Sequence, residues 1–365
     1  MGVRVDMMVV CGGTGGHVYP ALAVAEEMRK RYPVRKIMFI LKTGGFEEKV
    51  IKAAGFDFRS VNMAGFNRSR LLINLRILVL LPLAFVRAFF IMISARPKVV
   101  LSTGGYTGVP VLLSAALQRR KIALQEQNSY PGVTVRFFAR FAAVIFLAYR
   151  EAGKYLPLGR RIIEAGNPLR AATGKTEKDL RKEFGFTHGE KVLFVFGGSQ
   201  GAMAINKVIS QCAARLVKEE KIAILWQTGK PDFENMKKSV EGLENVKVFP
   251  FIENIYDFYR AADLAVCRSG AMTISELAKF GLPAVFVPLP TAAENHQKKN
   301  ALTVEAQEAG ICVDQSVAQE KLGDTIAALL RDSGRLSDMR TRMKSMHRED
   351  AAENIADTLE RILAA

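Results

Sequence analysis

Short apolar runs alternate along this chain with longer segments in which apolar residues recur every three or four positions. The first series of runs predicts strands at Val5–Cys11, Lys36–Leu41, Val99–Ser102, Lys121–Gln125 and Ala143–Leu147. A second series predicts strands at Lys191–Phe196, Ala223–Thr228, Val246–Phe249, Leu264–Cys267 and Ala284–Val287. Strands that alternate with helices favour a doubly wound parallel sheet. Because the pattern restarts, we predict two α/β domains of similar build.

The segment between the two series predicts the connection between these domains. It extends from Gly159 to Gly189 and contains Gly166-Asn167-Pro168 followed by a charged run. The pattern of apolar residues predicts helix throughout the tail from Leu322 to Ala365. The chain contains no short-period repeat, which excludes solenoids and propellers.

Two glycine-rich loops, one in each half, follow apolar strands and precede helical patterns. The first is Gly12-Gly13-Thr14-Gly15-Gly16-His17, before a helix at Val18–Lys30, and the second is Gly197-Gly198-Ser199-Gln200-Gly201, before a helix at Ala202–Val217. Glycines at such a turn let backbone N–H groups approach a phosphate or sugar oxygen at the helix N-terminus. One such loop alone is equally typical of a tight turn without a ligand. Two of them predict two domains that share a ligand cleft.

His17 follows the first loop at a helix N-terminus, where a neutral imidazole can meet a substrate hydroxyl. The chain has four histidines, and the position of this one favours a catalytic role over simple capping of the helix.

A third strand–turn–helix unit extends from Cys267 to Glu276. Ser269, Gly270 and the amides of Ala271 to Thr273 would form a helix N-terminus suited to a diphosphate, and Glu276 could accept hydrogen bonds from a ribose diol. A polar cluster at 294–301 follows the last predicted strand, at the sheet edge where open α/β sheets bind ligands. Amides there could read sugar hydroxyls.

Composition limits the partners and the compartment. The formal net charge is +16, which predicts an anionic partner: nucleic acid, a membrane surface or a polyanionic substrate. Basic and aromatic residues are not interleaved in the way typical of base stacking, so we exclude nucleic acid. The four cysteines are scattered, which favours a reducing compartment and argues against disulfides and structural zinc. The N-terminus shows no signal-peptide pattern.

The segment Leu71–Ala95 is the most apolar part of the chain. Arg76 and Arg87 interrupt it and Pro82 is expected to break its middle, whereas a membrane span needs about 20 uninterrupted apolar residues. Arginines eleven residues apart would share one helix face. The segment is therefore predicted to touch an anionic membrane surface without crossing it. The alternative is a pair of buried core helices, and both interpretations can hold in part.

Eight motifs in order carry a resemblance to a known family. They are GGTGGHVYPALA, STGGYTGVP, EQNSYPG, GNPLR, FGGSQGA, RSGAMTISEL, FGLPAVFVPLP and HQKKNA. Together they resemble the MurG family, bacterial enzymes that transfer N-acetylglucosamine from UDP-GlcNAc to the MurNAc 4-hydroxyl of lipid I and so form lipid II for peptidoglycan. The resemblance implies a GT-B fold, in which two Rossmann-like domains with parallel sheets face a deep cleft. It also implies an inverting hexosyltransferase on the cytoplasmic face of the bacterial membrane.

The same resemblance implies the domain limits and site residues. Residues 1–165 would bind acceptor and membrane, with the C-terminal helix 350–365 packing back on them, and residues 166–349 would bind UDP-GlcNAc. The implied donor-binding residues are Thr14, Gly15, Gly16, Asn128, Arg170, Ser199, Ile252, Ala271, Met272, Thr273, Ile274, Ser275, Glu276 and Gln297. Ile252 would read the uracil edge with its backbone. The predicted membrane patch comprises Leu71, Leu72, Arg76, Leu80, Phe85 and Arg87.

One position departs from the family. Many relatives have histidine before Glu-Gln-Asn, whereas this chain has Gln125, which leaves His17 as the predicted catalytic base. The sequence contains no Asp-x-Asp motif, so we predict that no metal and no other cofactor is required. Helix N-termini, with Arg170, would instead stabilise the leaving UDP.

Three other functions remain open from the sequence. A related enzyme would glycosylate diacylglycerol, a UDP-GlcNAc 2-epimerase would need no lipid acceptor, and a membrane-docked scaffold would have no activity. The apolar segment argues against the epimerase. Lipid I, UDP-GlcNAc, an anionic membrane and other cell-wall synthesis proteins are the expected partners.

Overall fold

The computed structural model describes residues 4–63, 75–170, 175–186, 189–198 and 200–365. The chain divides into two compact units, Met1–Arg170 with Arg348–Ala365 as the first and Ala171–His347 as the second. The limits predicted from the sequence were 1–165 with 350–365, and 166–349.

The first unit contains a sheet whose strands are all parallel. Its strands are β1 (Met7–Val10), β2 (Ile37–Lys42), β3 (Asp57–Val61), β4 (Val99–Ser102), β5 (Lys121–Glu126), β6 (Ala142–Leu147) and β7 (Ile162–Glu164). The helices between them are α1 (Gly15–Arg31), α2 (Phe46–Ala53), α3 (Leu75–Ala95), α4 (Gly108–Leu117) and α5 (Val133–Phe138). The strand order is β3-β2-β1-β4-β5-β6-β7.

The second unit repeats this plan. Its helices are α6 (Glu177–Glu183), α7 (Met203–Glu220), α8 (Phe233–Ser239), α9 (Ile255–Ala261), α10 (Ala271–Phe280), α11 (His296–Ala306), α12 (Ala318–Arg331) and α13 (Ser333–Ser345). Its strands are β8 (Lys191–Phe196), β9 (Ile222–Gln227), β10 (Val246–Phe249), β11 (Leu264–Cys267), β12 (Ala284–Phe286) and β13 (Gly310–Cys312), in the order β10-β9-β8-β11-β12-β13. The prediction of two α/β units with parallel sheets is confirmed.

Burial explains why the central strands form. Every residue of β1, β4 and β11 is buried, because helices cover both faces of a parallel sheet. One face of the first sheet packs on α1 and the last helix, α14 (Ala351–Ala364), and the other packs on α3 and α4.

α14 belongs to the first unit although it is the last element of the chain. Its apolar face, which includes Ile355 and Leu359, is buried in the same core as α1. Its polar face is held by ion pairs: Arg35 donates to both carboxylate oxygens of Glu360, at 2.9 and 2.6 Å. The predicted helical tail is thus three helices, and a break at residues 346–350 precedes the helix that joins the first unit.

Three details correct the sequence-based prediction. The stretch Gly159–Gly189 is not only a connection, because it contains the edge strand β7 and the helix α6. The strands β3 and β13 also lie at sheet edges and were not predicted. Pro82 does not break the apolar segment, since α3 is one helix with Pro82 inside it. Among the described residues, no helix is long and apolar enough to cross a membrane.

Candidate functional site

The first glycine loop lies where the strand order of the first sheet reverses. β1 and β4 are neighbours there, and chain connections leave them in opposite directions along the sheet, which is the usual ligand position in open α/β folds. The loop after β1 and the loop after β4 are in direct contact. Gly105 has a φ of +87°, and a Cβ added to it would lie 2.4 Å from the carbonyl oxygen of Gly12. Only glycine fits at this contact.

His17 is the third residue of α1, and two loops hold it from different sides. Its backbone N–H donates to Thr14 at 3.1 Å, and its backbone carbonyl accepts from the Thr103 hydroxyl at 2.7 Å. Its ring Nδ1 lies 3.0 Å from the side-chain oxygen of Gln127. The ring is therefore anchored to the loop that follows β5 and does not simply cap its own helix.

Thr14 is the N-cap residue of α1, and Gly15 and Gly16 open the helix. Thr14 is exposed, and both glycines are half-buried. The Arg170 guanidinium stacks over the Tyr19 ring, 4.5 Å from its centre, one turn further into α1. All four predicted ligand residues thus lie at or near the same helix N-terminus.

Asn128, a predicted sugar contact, is positioned by a buried carboxylate that the sequence analysis did not single out. One oxygen of Glu126 accepts from the Asn128 backbone at 2.9 Å and from its side chain at 3.0 Å, and the other accepts from Gly132 N–H at 2.8 Å. Burial raises the pKa of Glu126 above its ordinary value, and these hydrogen bonds oppose the rise. Glu126 thereby shapes the loop that presents Asn128.

The second glycine loop also lies at a reversal of strand order, between β8 and β11. Gly201 has a φ of +77°, and an added Cβ would lie 1.9 Å from the Thr228 carbonyl oxygen. The loop is therefore packed tightly against the end of β9 and leads into α7. The predicted diphosphate contact Ser199 lies outside the described residues.

Gln227, at the end of β9, connects this loop to the predicted uracil-binding residue. Its amide nitrogen donates to the Gly198 carbonyl at 2.9 Å, and its oxygen accepts from Ile252 N–H at 3.1 Å. A base that used the Ile252 N–H would have to displace the Gln227 oxygen. Gln227 was not predicted from the sequence, because its role depends on contacts between separate loops.

The N-terminus of α10 follows β11 and supplies further backbone donors. Gly270 is its N-cap residue, so the N–H groups of Ala271, Met272 and Thr273 have no acceptor within the helix. The Ile274 side chain, also a predicted donor contact, is only 1% exposed and packs in the interior. Ser275 is half-buried.

Glu276, the predicted ribose ligand, is half-buried one turn into α10. Its Oε2 accepts a hydrogen bond from the Tyr259 hydroxyl at 3.0 Å. Burial first, and the nearby Glu276 carboxylate second, raise the pKa of Tyr259 well above its ordinary value. Tyr259 therefore remains a neutral donor that fixes the orientation of the carboxylate.

Gln297 and Arg268 lie on the elements next to the N-terminus of α10. The Gln297 side-chain oxygen accepts from Leu289 N–H at 2.9 Å, which fixes the orientation of its amide. The Ser269 hydroxyl donates to the Gln297 carbonyl at 2.8 Å and ties α11 to the loop before α10. Arg268 donates to the carbonyls at the end of β12, and burial lowers its pKa.

The predicted membrane patch falls largely on α3. Arg76 and Arg87 are exposed, Leu80 and Phe85 are half-buried, and Leu71 and Leu72 lie outside the described residues. α3 buries one face in the core, and an apolar stripe covers its opposite face. The stripe comprises Val79, Leu83, Val86, Phe90 and Ile93, which are between 43% and 64% exposed. The alternative of a pair of buried helices is wrong, because α3 is one helix with core on one side and apolar surface on the other. Contact with a membrane stays a prediction.

The four cysteines are free thiols. Burial raises the pKa of Cys11 and Cys267 above the ordinary thiol value, so both remain unreactive. Within the described ranges, no three acidic, histidine or cysteine side chains are grouped in a way that could hold a metal.

Comparison with protein families matches both halves of the chain. Residues 7–147 match the Glycosyltransferase family 28 N-terminal domain, and residues 192–355 match the Glycosyltransferase family 28 C-terminal domain.

Curated relatives match nearly the whole chain. A protein of Carboxydothermus hydrogenoformans is 33% identical over 357 residues, covering 96% of both chains, and one of Porphyromonas gingivalis is 35% identical over 366 residues, covering 99% of this chain and 96% of its own. Both are named UDP-N-acetylglucosamine–N-acetylmuramyl-(pentapeptide) pyrophosphoryl-undecaprenol N-acetylglucosamine transferase.

Solved structures share the fold. The crystal structure of Acinetobacter baumannii MurG superposes with a TM-score of 0.81 at 26% identity and covers 98% of this chain and 100% of its own. A UDP-N-acetylglucosamine 2-epimerase superposes with a TM-score of 0.67 at 15% identity, covering 96% of this chain and 94% of its own. The latter likeness is one of fold alone.

Proposed function

The chain belongs to glycosyltransferase family 28, and we propose that it transfers N-acetylglucosamine from UDP-GlcNAc to the MurNAc 4-hydroxyl of lipid I, forming lipid II. One observation carries the proposal: relatives named for this reaction are 33–36% identical to the chain over nearly its full length.

In the proposed mechanism His17 is the base. The acceptor 4-hydroxyl oxygen attacks C1 of the sugar on the side opposite the diphosphate, and its proton passes to the imidazole. The C1–O bond to UDP breaks, its electron pair leaves with the diphosphate, and the configuration at C1 inverts. The support is the place of His17 at the N-terminus of α1, where the first glycine loop meets the Gly104-Gly105 turn that follows β4.

The leaving diphosphate gains negative charge, and we propose that backbone donors stabilise it without a metal. The N-termini of α7 and α10 follow adjacent strands of one sheet and both present N–H groups with partial positive charge. Arg170 adds a cation in the proposal. Glu276, Gln297 and the Ile252 backbone would bind the ribose, the sugar and the base.

The test is transfer of labelled N-acetylglucosamine from UDP-GlcNAc to lipid I, with and without EDTA. We expect lipid II to form at the same rate in both conditions. Loss of transfer in EDTA, restored by a divalent cation, would overturn the metal-independent mechanism. Absence of transfer by the folded protein in either condition would overturn the proposed reaction.

Two further arms address the other enzymes that the fold supports. In the first added assay, diacylglycerol replaces lipid I as the acceptor. The second contains UDP-GlcNAc and no acceptor, a condition in which a 2-epimerase would still convert the nucleotide sugar. We expect product with lipid I alone. Faster transfer to diacylglycerol, or epimerised nucleotide sugar without acceptor, would assign the chain to the corresponding activity, and no turnover in any arm would favour a scaffold.

We also propose that the enzyme is peripheral on the cytoplasmic face of the membrane and docks through α3. The exposed apolar stripe of α3 would enter the lipid interface, and Arg76 and Arg87 would lie near anionic headgroups. Each basic residue near such a surface contributes about 1 kcal/mol. Salt should weaken this electrostatic contribution to membrane binding, because charges are screened over about 10 Å at an ionic strength of 0.1 M.

Co-sedimentation with vesicles of varied anionic content tests the docking. We expect Arg76→Glu/Arg87→Glu to reduce binding to anionic vesicles strongly, with residual binding at high salt from the apolar stripe. The control is Lys178→Glu/Lys182→Glu, which reverses two exposed charges on α6 of the second unit. Equal loss in both double variants would indicate a net-charge effect and contradict docking through α3.

A further inference from the structure

We infer that a chain of buried amides, from Asn167 through Gln125 and Gln127, holds the proton of the neutral His17 ring on Nδ1 and leaves the lone pair on Nε2. This inference deepens the proposed function and rests on it for its catalytic consequence. The tautomer itself is a property of the folded protein without substrate.

The amides form a continuous series of hydrogen bonds. Asn167 Nδ2 donates to the backbone carbonyl of Gln127 at 3.1 Å, and Gln125 Nε2 donates to the side-chain oxygen of Asn167, Oδ1, at 3.0 Å. Gln127 Nε2 donates to Gln125 Oε1 and, at 2.7 Å, to the Thr103 carbonyl. Gln127 Oε1 then lies 3.0 Å from His17 Nδ1. Each of the three amide side chains belongs to a residue no more than 5% exposed.

The end of the series near His17 determines which way the Gln127 amide faces. A backbone carbonyl can only accept a hydrogen bond, so the Gln127 group that meets the Thr103 carbonyl must be the NH₂. Its oxygen therefore faces the His17 ring. Because an amide oxygen only accepts, His17 Nδ1 must carry the hydrogen.

The other end of the series fixes the same polarity independently. The backbone carbonyl of Gln127 can only accept, so the Asn167 group that meets it must be the NH₂. The Asn167 side-chain oxygen therefore faces Gln125. Gln125 must then donate to Asn167 and present its own oxygen to the Gln127 NH₂. Two backbone carbonyls thus impose one direction on the whole series. Reversing any amide would bring two oxygens or two NH₂ groups together in a buried site, at the cost of unsatisfied polar groups.

The ring is also held in place sterically. Gly104 has a φ of +94°, and a Cβ added to it would lie 3.1 Å from the His17 Cε1 and Nδ1 atoms. The nearby Glu126 carboxylate is bonded to the Asn128 and Gly132 backbones and serves that loop. Nδ1 faces the Gln127 amide, which does not ionise.

Gln125 gives this series a property that an imidazole at the same position would not. An imidazole changes its donors and acceptors when it titrates, whereas an amide keeps one donor end and one acceptor end. With Gln125, the direction of the series is independent of pH. Gln125, Gln127 and Asn167 are therefore positioning residues for His17.

Nitrogen-15 NMR of the labelled full-length protein tests the tautomer without any substrate. His17 is assigned as the ring signal lost in His17→Asn. At a pH where the ring is neutral, we expect Nδ1 to show the shift of a protonated nitrogen and Nε2 that of an unprotonated one. The reverse pattern, or shifts averaged between the two tautomers, would overturn the inference whatever the transferase assay shows.

Gln127→Met tests the catalytic consequence. The variant removes the oxygen that accepts from Nδ1–H and introduces no charge, so the neutral ring should lose its tautomer preference in the NMR spectrum, and kcat should fall several-fold while the KM for UDP-GlcNAc stays near the wild-type value. The control is Gln118→Met, because Gln118 also donates to a backbone carbonyl, that of Phe89, in the same unit. An equal loss of kcat in both variants, or a loss in neither, would contradict the positioning role.

The two assays separate the possible failures. Absence of transferase activity in the wild-type protein would overturn the proposed function and leave the NMR result standing. The expected NMR pattern in the wild-type protein together with wild-type kcat in Gln127→Met would show that the tautomer is fixed but is not used in catalysis.

Discussion

The hydrogen bond between Tyr259 and Glu276 leads to a prediction about donor affinity. The Tyr259 ring is 2% exposed and packs against Phe196 and Phe280, with ring centres 5.6 and 5.7 Å away. Its hydroxyl is therefore fixed before any ligand binds, and it donates to Glu276 Oε2 at 3.0 Å. Tyr259→Phe removes this donor and leaves the ring packing intact.

The magnitudes follow from what each substitution removes. Glu276→Ala removes the proposed ribose ligand, and a hydrogen bond to a charged group contributes about 1.5–3 kcal/mol, so the Kd for UDP should rise roughly 10- to 150-fold. Tyr259→Phe leaves the carboxylate present but less ordered. Ordering one side chain on binding costs about 0.5–1.5 kcal/mol, which corresponds to a rise in Kd of roughly two- to tenfold.

Calorimetric titration with UDP measures both effects and their coupling. In the Glu276→Ala background, Tyr259→Phe should have no further effect, because the hydroxyl acts only through the carboxylate. Tyr256→Phe is the matched control, since Tyr256 is on the same helix, α9, and also packs against Phe280. If Tyr259→Phe weakens binding equally with and without Glu276, the tyrosine does not act through it. Wild-type affinity in Glu276→Ala would refute the ribose assignment.

Three other predictions concern stability and are measured by denaturant unfolding. Gly201→Ala should lower the free energy of unfolding by several kcal/mol and abolish UDP binding, because the added Cβ would lie 1.9 Å from a backbone oxygen. The control Gly198→Ala should lower it by only about 1–2 kcal/mol, because Gly198 has a similar φ of +84° but no atom lies within 4 Å of the added Cβ. The pKa of Tyr259 is higher in the folded protein than in the unfolded chain, where a tyrosine titrates near pH 10. The resulting stabilisation is complete below pH 10 and is lost as the pH rises above it. Above pH 10 the wild-type free energy of unfolding should therefore fall more steeply than that of Tyr259→Phe; equal slopes would contradict this. Arg35→Met should lower the free energy of unfolding by about 1 kcal/mol and make α14 more accessible to protease, since the Arg35–Glu360 pair is about four-fifths buried on both sides.

The central strands were predictable because their pattern has one physical cause. β4 and β11 are buried on both faces, which requires a short continuous apolar run, and both were predicted with their observed limits. The edge strand β3 reads Asp-Phe-Arg-Ser-Val and has only one neighbour, so its residues are under weaker selection for apolar character. β13 has three residues and is set by its pairing with β12. Neither leaves a clear signal in the sequence.

The continuity of α3 could not be predicted from local preference alone. Pro82 removes one backbone donor and normally bends or ends a helix. Here it lies on the exposed side, where water can satisfy the carbonyl that loses its partner. On the opposite side Leu81, which precedes the proline, packs against the same core cluster as Ala84, Ala88 and Met92, which follow it, so both halves of the helix meet one core.

Loop residues were easier to predict than the residues that orient them. The glycine loops are contiguous in sequence and carry their own conformational signal. Gln127 and His17 are 110 residues apart, and nothing local in either segment indicates their contact. Gln227 and Tyr259 are likewise polar groups at strand or helix positions typical of any α/β domain. Their roles arise only when the sheet order brings separate loops together.

The sheet order itself explains why both units carry their candidate site at the same place. In each, the strand before the glycine loop of that unit, β1 or β8, pairs with a later strand, β4 or β11. The chain connections diverge from this pair, so the two loops face each other over a crevice that no crossover helix fills. In the first unit the loop after β4 places Gly104 beside the His17 ring and bonds the His17 backbone carbonyl through the Thr103 hydroxyl. In the second, the helices α7 and α10 begin after the two paired strands, and their N-termini are the backbone donors that we propose stabilise the leaving diphosphate.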